Sequence, residues 1–377
     1  MKILFISHDA SRTGAPILLL NLLKWIKDNT NINFEILLLN GGELEHNFEL
    51  LGTVYKTYKY KEGYLFMRLF QKILEKIKPN KEEKVLNSVI SKLKNRNFTT
   101  IYGNTIVSIK VLEKLHTIYP NAKYILHVHE LNSITRAYTK TIEKTMFIDI
   151  KYIAVSELVK QNLIKNHSIN SDISLIFAFI NIEEINKQIL DQSPKILDKF
   201  VINGSGLVQI RKGFDIFILS AKRAIQKYPE IPFLFRWIGN IPKNIKTYID
   251  MDIVNGVMDN HIEFIGELSE PFTEFSKADI FFLTSREDPF PLVCLEHAAM
   301  EIPILCFDKG TGMSEFVEKD AGVIIPYLDI ERTVDTLADL YYDELKRKGF
   351  AKTAKMKVQK YDINIQSSKI VDIIGNA

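Results

Sequence analysis

The sequence predicts an α/β protein built from two doubly wound parallel sheets in tandem. Three observations carry this. Short β-rich runs alternate with helical patterns from one end of the chain to the other. Those runs are continuously apolar, as expected of strands covered on both faces. The pattern pauses once, at a polar stretch over 181–199, and then restarts. A length of 377 residues suits two domains of ordinary size. The chain is 46% apolar and 25% charged, which excludes a disordered, collagen-like or coiled-coil protein.

The first strand is Ile3–Ile6, followed by a helix over Ala15–Lys27. Pro16 falls in its first turn, where a missing N–H costs little. Strands follow at Phe34–Leu39, Thr99–Tyr102, Tyr124–Val128 and Tyr152–Val155, with helices at Ile106–Leu115 and Glu157–Lys165. The stretch from Asn181 to Lys199, with Pro194 inside it, reads as a linker. After it come strands at Phe200–Ile202, Phe233–Ile238, Ile262–Ile265, Ile280–Thr284, Ile304–Phe307 and Val323–Ile325. Helices at Phe214–Lys227, Leu292–Ala299 and Glu331–Tyr342 fill the gaps. The expected organisation is a Rossmann-like domain over 1–195 and a second over 196–359. A helical tail, 360–377, is expected to pack back on the first. Folds of this kind bind ligands outside the carboxyl ends of their strands, so the expected site is a cleft where the two sheets face each other.

Several classes are disfavoured. After the first strand the chain reads SHDASRTGAP, with a single glycine, which argues against an NAD or FAD fingerprint. No Walker-A pattern occurs. His127 and His129 are expected to point apart, which speaks against a shared metal, and no metal or cofactor is expected. A net charge of +3 is modest for a nucleic-acid binder, and none is expected as a partner. Cys294 and Cys306 lie in apolar runs, so a disulfide framework is excluded and a reducing compartment fits. The N-terminus lacks the apolar core and cleavage site of a secretory signal. A cytoplasmic chain, at most peripheral on the membrane, is the expectation.

Three segments carry candidate chemistry. Thr284–Glu296 lies between a buried strand and a helix beginning near Pro291, and free N–H groups there would receive an anion. Glu287, Asp288 and Glu296 are suited to sugar hydroxyls; alternatively Glu287 and Asp288 merely cap the helix. Gly204–Gly213 places Arg211 and Lys212 in a glycine-bounded loop after a strand, where a diphosphate would find both; the alternative is a solvated pair. Ile125–Glu130 brings His129 to a strand tip, placed for hydrogen bonding or proton transfer, or else simply structural like His127.

In this order these segments resemble the GT-B glycosyltransferases, and more narrowly family 4 of the retaining, nucleotide-sugar-dependent enzymes. Thr13-Gly14-Ala15-Pro16 is similar to that family's glycine loop and first helix, and Ile153–Glu157 to the strand closing its acceptor domain. Phe264-Ile-Gly266, Ala278–Ser285 and Gly310–Glu315 resemble its donor-domain landmarks. The resemblance covers almost the whole chain. It implies a donor half at the C-terminus, an acceptor half at the N-terminus, and retaining transfer from a nucleotide-diphosphate sugar to a glycan or lipid-linked acceptor without a metal. It implies that Glu296 meets the ribose hydroxyls. The family's first acid lies seven residues earlier and falls on Asp288, with Glu287 the alternative. His129 is implied near the donor sugar. The backbone of Phe290, Pro291, Leu292 and Val293, with Gly14, Gly266, Arg211 and Lys212, is implied around the diphosphate and sugar. The family's usual Arg position is here Leu207, and Arg211 sits directly before Lys212 instead.

Residues 56–96 hold twelve Lys and Arg against four Glu. Within them Leu65, Phe66, Leu69, Phe70, Ile73, Leu74 and Ile77 recur at helical spacing, opposite Arg68, Lys72 and Lys76. Such a helix is a candidate contact for an anionic membrane surface, or it packs on the N-terminal sheet. Two other functions fit the same fold: a sugar-nucleotide 2-epimerase and a non-catalytic assembly subunit.

Overall fold

The computed structural model describes residues 1–58, 80–145, 148–169, 172–189, 196 and 198–376. The apolar helical stripe at 65–77 lies outside them. The chain forms two compact units. The first comprises Met1–Val155, Lys160–Ile176 and Ser367–Ala377, and the second Ser156–Val159 with Phe177–Gln366.

The first unit is a seven-stranded sheet of β1 (Lys2–Ser7), β2 (Asn33–Leu38), β3 (Val54–Lys56), β4 (Thr100–Asn104), β5 (Lys123–Val128), β6 (Ile150–Ala154) and β7 (Ile173–Leu175). Its order is β3-β2-β1-β4-β5-β6-β7, and every pair is parallel. Ile3 to Ile6 are fully buried, which is why β1 reads as an uninterrupted apolar run. The helix Gly14–Asn29 buries Leu18, Leu19, Leu22, Leu23 and Ile26, a stripe at helical spacing.

The second unit is a six-stranded parallel sheet of β8 (Phe200–Ser205), β9 (Phe233–Ile238), β10 (Ile262–Gly266), β11 (Ile280–Leu283), β12 (Ile304–Phe307) and β13 (Gly322–Ile325). Its order is β10-β9-β8-β11-β12-β13. Phe217, on the helix Phe214–Lys227, meets Phe235 at 5.4 Å and Trp237 at 5.3 Å, both edge-on. Gly204 in β8 makes room for that packing. A Cβ there would lie 2.7 Å from the Trp237 ring and 2.8 Å from that of Phe217.

Two parts depart from expectation. The stretch read as a linker begins with a helix, Ile182–Ile189, whose Ile182 and Ile185 are buried. It packs on the helices Phe272–Phe275 and Leu292–Ala299, so residues 177–189 belong with the second unit rather than the first. Lys243–Asn255 and Glu344–Val358 are helices that the sequence pattern leaves unassigned. Among the basic residues of 56–96, Lys56 pairs with Glu45 and Glu49, and Arg96 with Glu35. Part of that positive charge is therefore neutralised on the protein itself. Among the described residues no helix is long and apolar enough to cross a membrane.

Candidate active site

In the second unit the strand order reverses between β8 and β11, and ligands gather outside such a switch point. Two loops leave there, 206–213 after β8 and 284–291 after β11. They are bound tightly to each other. The Arg286 N–H donates to the Arg211 carbonyl at 2.8 Å, and Thr284 Oγ1 donates to the Lys212 carbonyl at 2.9 Å. The Arg286 guanidinium holds both oxygens of Asp215 at 2.8 and 2.7 Å, a bidentate pair, and also reaches the Ile210 carbonyl. Gly213 makes the approach feasible. Its φ is +74°, and a Cβ there would lie 2.0 Å from the Thr284 carbonyl oxygen.

This framework sets the charged residues. Lys212 Nζ lies 2.5 Å from Asp288 Oδ2, with the two side chains 18% and 8% exposed. Ser285 Oγ donates to the same carboxylate oxygen at 3.2 Å. Arg211 instead turns to the Glu287 backbone, donating from Nη1 to its carbonyl at 2.7 Å. The Asp288 N–H donates to the Gly310 carbonyl at 2.7 Å, within a short bridge to Thr311.

The helix Leu292–Ala299 begins immediately afterwards with Pro291 at its N-cap, a residue whose side chain makes no capping bond. Asp288 turns its carboxylate to Lys212 and Ser285 instead. The Phe290 ring is buried, stacked on Tyr361 at 5.4 Å and tilted against Phe177 at 5.2 Å, so its backbone is what a ligand can reach. His297 anchors the helix from behind. Its Nδ1–H donates to the Val293 carbonyl at 2.7 Å, its ring lies against Phe275 and Phe281, and burial pushes it down to about 3, hence neutral. The Glu296 carboxyl has no hydrogen-bond partner among the described residues, and burial pushes it up to about 7. Gly266 ends β10 at φ +91° with open space where a Cβ would stand, and its carbonyl accepts from the Gly239 N–H at 2.8 Å.

In the first unit the order reverses between β1 and β4. Gly14 opens the helix beside β1 with nothing within 4 Å of where a Cβ would stand, so no packing demand requires a glycine there. His129 Nε2 lies 2.9 Å from Asn104 Oδ1, and Asn104 Nδ2 donates to the Ala15 carbonyl at 3.0 Å. Glu130 Oε2 accepts from the Ile106 and His129 N–H groups at 3.1 and 2.9 Å, and burial holds this carboxyl up at about 7. Burial pushes His127 down to about 3; its Nδ1 faces the Tyr102 hydroxyl at 2.7 Å. The His127 and His129 rings are 4.2 Å apart. The expectation that they point apart is therefore wrong: side chains alternate along a strand, so residues two apart share a face. Among the described residues no group of three or more His, Cys, Asp and Glu is placed to hold a metal ion.

Lys212, Asp288, Arg211 and the backbone of Glu287 thus come together in the second unit, on the approach to the Leu292 helix. Gly14 and His129 belong to the first unit. The sequence pattern does not single out Asn104, Glu130, Ser285, Arg286 or Asp215. Each lies at or just past a strand's carboxyl end, or opens the next helix, and that position is the signal available for finding them.

Residues 198–343 match the family model described as glycosyl transferases group 1. An uncharacterised glycosyltransferase of Methanocaldococcus jannaschii is 22% identical over 246 residues, covering 61% of this chain and 57% of that protein. A capsular polysaccharide biosynthesis glycosyltransferase of Staphylococcus aureus is 22% identical over 235 residues, 60% of each chain. The alignments therefore span less than two thirds of these relatives. The Anabaena protein HepE, solved in complex with UDP, superposes over 100% of both chains with a TM-score of 0.78 at 17% identity. Residues 198–343 of this chain are thus similar to the group 1 glycosyltransferases, and over its whole length the chain has the GT-B fold of two Rossmann-like domains.

Proposed function

We propose that this chain is a retaining glycosyltransferase that moves a sugar from a nucleotide-diphosphate sugar to a glycan or lipid-linked acceptor in polysaccharide or glycolipid synthesis. The second unit binds the donor and the first binds the acceptor. The observation that carries this is the Lys212–Asp288 pair beside Arg211 and the start of the Leu292 helix. All of it lies within the residues that match the family model.

The chemistry follows from charge. Breaking the anomeric C–O bond leaves additional negative charge on the departing diphosphate. Lys212 and Arg211 supply fixed cations for it, and the first amides of the Leu292 helix supply donors aligned with a helix dipole. These groups are already positioned by the Arg286–Asp215 clamp, so little reorganisation is needed as charge develops. In this reading they take the place a metal ion would otherwise fill. Asp288 accepts a hydroxyl of the donor sugar while sharing Lys212, and Glu296 receives ribose hydroxyls. Retention comes with the resemblance of the donor motif to retaining enzymes.

The test is Lys212→Ala, checked for an unchanged far-UV spectrum. Losing one preorganised donor of this type costs on the order of 100- to 1000-fold in rate. Product release from UDP-glucose and a panel of other nucleotide sugars is the assay, and UDP is a natural first probe because HepE is solved with it. Turnover equal to that of the parent chain would sink the assignment.

A further inference from the structure

We infer that Asn104 is a positioning residue that locks His129 in the Nε2–H tautomer, leaving Nδ1 as an unprotonated acceptor presented at the carboxyl end of β5. Hydrogen-bond polarity decides the tautomer. Asn104 is fully buried, and its amide must satisfy two neighbours of opposite kind. The Ala15 carbonyl can only accept, so the Asn104 NH₂ is turned toward it at 3.0 Å. A flipped amide would set two carbonyl oxygens against each other. Oδ1 is then left facing His129 Nε2 at 2.9 Å, and since Oδ1 can only accept, Nε2 must carry the hydrogen.

The two residues are also held rigidly. Thr105, directly after Asn104, has φ +96°, a conformation that a β-branched residue adopts only when its surroundings impose it. Its N–H donates to the His127 carbonyl at 2.8 Å, tying the end of β4 to β5. Glu130 then fastens the turn after β5 to the helix that follows β4, through the His129 and Ile106 N–H groups on one carboxylate oxygen. Two residues 25 positions apart in sequence thereby face each other at fixed distance. Burial, together with the neighbouring His127 and His8, holds His129 well below the usual histidine range, so the ring is neutral and its second nitrogen bears a lone pair. His8 Nδ1 and His127 Nε2 are sealed without a partner, whereas His129 Nδ1 is not sealed in that way.

A ligand atom meeting Nδ1 must therefore bring a hydrogen. A sugar hydroxyl fits; a carboxylate or phosphate oxygen does not. The part of His129 in sugar transfer rests on the glycosyltransferase reading, while the tautomer itself does not.

The test uses the full chain labelled with ¹⁵N-histidine, without ligand, and long-range ¹H–¹⁵N correlation at pH 7.5. His129→Gln identifies the His129 signals among those of the eight histidines. The parent chain should give a protonated, pyrrole-like Nε2 and an unprotonated, pyridine-like Nδ1. Asn104→Leu should collapse the two shifts toward their average. A parent spectrum with hydrogen on Nδ1, or with averaged shifts, overturns the inference whether or not any variant folds. So does a folded Asn104→Leu protein with the parent pattern. Failure of every nucleotide sugar to turn over would refute the proposed function and leave this result standing.

Discussion

Replacing Asp288 by Asn should separate the two roles of the Lys212–Asp288 pair. The pair is mostly buried, with the lysine side chain 18% and the aspartate 8% exposed. At an effective dielectric of about 20 two charges 4 Å apart attract by roughly 4 kcal/mol, and the net value is smaller because both must be desolvated. Asn keeps an oxygen toward Lys212 and Ser285, so the expected loss of stability is only about 1–2 kcal/mol. The effect on a diphosphate has the opposite sign. With Asp288 neutral, Lys212 no longer shares its charge, and about 1 kcal/mol of added attraction corresponds to roughly fivefold tighter UDP. Lys212→Ala should instead weaken UDP by about 10- to 100-fold, the loss of one charge-assisted hydrogen bond. Sugar transfer should fall in both variants. Titration calorimetry with UDP on the two proteins reads the difference directly. If Asp288→Asn weakens UDP as much as Lys212→Ala does, Asp288 is not competing with the diphosphate for the lysine, and the account of the pair is wrong.

Gly213→Ala should cost about 3 kcal/mol or more, since it combines a positive φ with a backbone clash at Thr284; a melting temperature within a degree of the parent would refute this. Gly14→Ala should leave stability within about 1 kcal/mol while lowering turnover at least about tenfold, because nothing in the protein occupies that space and only a ligand would; a large stability loss would make Gly14 structural. Glu130 is raised from 4.5 to about 7 in the fold, so the native state binds the extra proton between those values. Its contribution is full below about pH 4.5 and declines by up to about 3 kcal/mol as pH rises through 7. Glu130→Gln removes that component, so denaturant titrations should show the variant gaining on the parent from pH 5 to 8, and a constant difference would refute the buried-carboxyl assignment. EDTA should leave turnover unchanged; a loss restored by Mg²⁺ would overturn the view that the cationic side chains suffice.

Much of the fold is legible in the sequence because parallel strands covered on both faces leave continuous apolar runs. Ile3–Ile6 and Ile304–Phe307 are buried throughout and read unmistakably. What escapes lacks that signal. Val54–Lys56 and Ile173–Leu175 are edge strands of three residues with much half-buried surface. The helix Ile182–Ile189 buries only Ile182 and Ile185 among charged neighbours, so it reads as a linker. In the site, Lys212, Asp288 and His129 stand out because charged or titratable residues at the end of an apolar run are conspicuous. Asn104 and Glu130 do not, because their meaning lies in partners brought together by strand pairing: Asn104 stands opposite His127 in the register of β4 and β5. No local pattern encodes that distance.

Which of the two adjacent acids faces Lys212 follows from backbone geometry rather than from spacing alone. Asp288 lies in an extended bridge to Thr311, with its N–H on the Gly310 carbonyl. Consecutive residues of an extended segment direct their side chains to opposite sides, so only one of Glu287 and Asp288 can face the lysine. Asp288 does, and the Glu287 carbonyl is drawn to Arg211. Ser285 adds a donor to the Asp288 carboxylate from three residues upstream. The shorter side chain also matters. The loops are clamped by Arg286 and by the close approach of Gly213, so they have little freedom to recede, and one more methylene at position 288 would push a carboxylate into Lys212. Asp288→Glu should therefore impair transfer nearly as much as Asp288→Asn, while Glu287→Gln should cost less than about tenfold, the range of a residue outside the charge-stabilising set. The reverse ranking in a side-by-side turnover assay would move the first acid of the donor motif to Glu287 and require the loop to shift by one residue on binding.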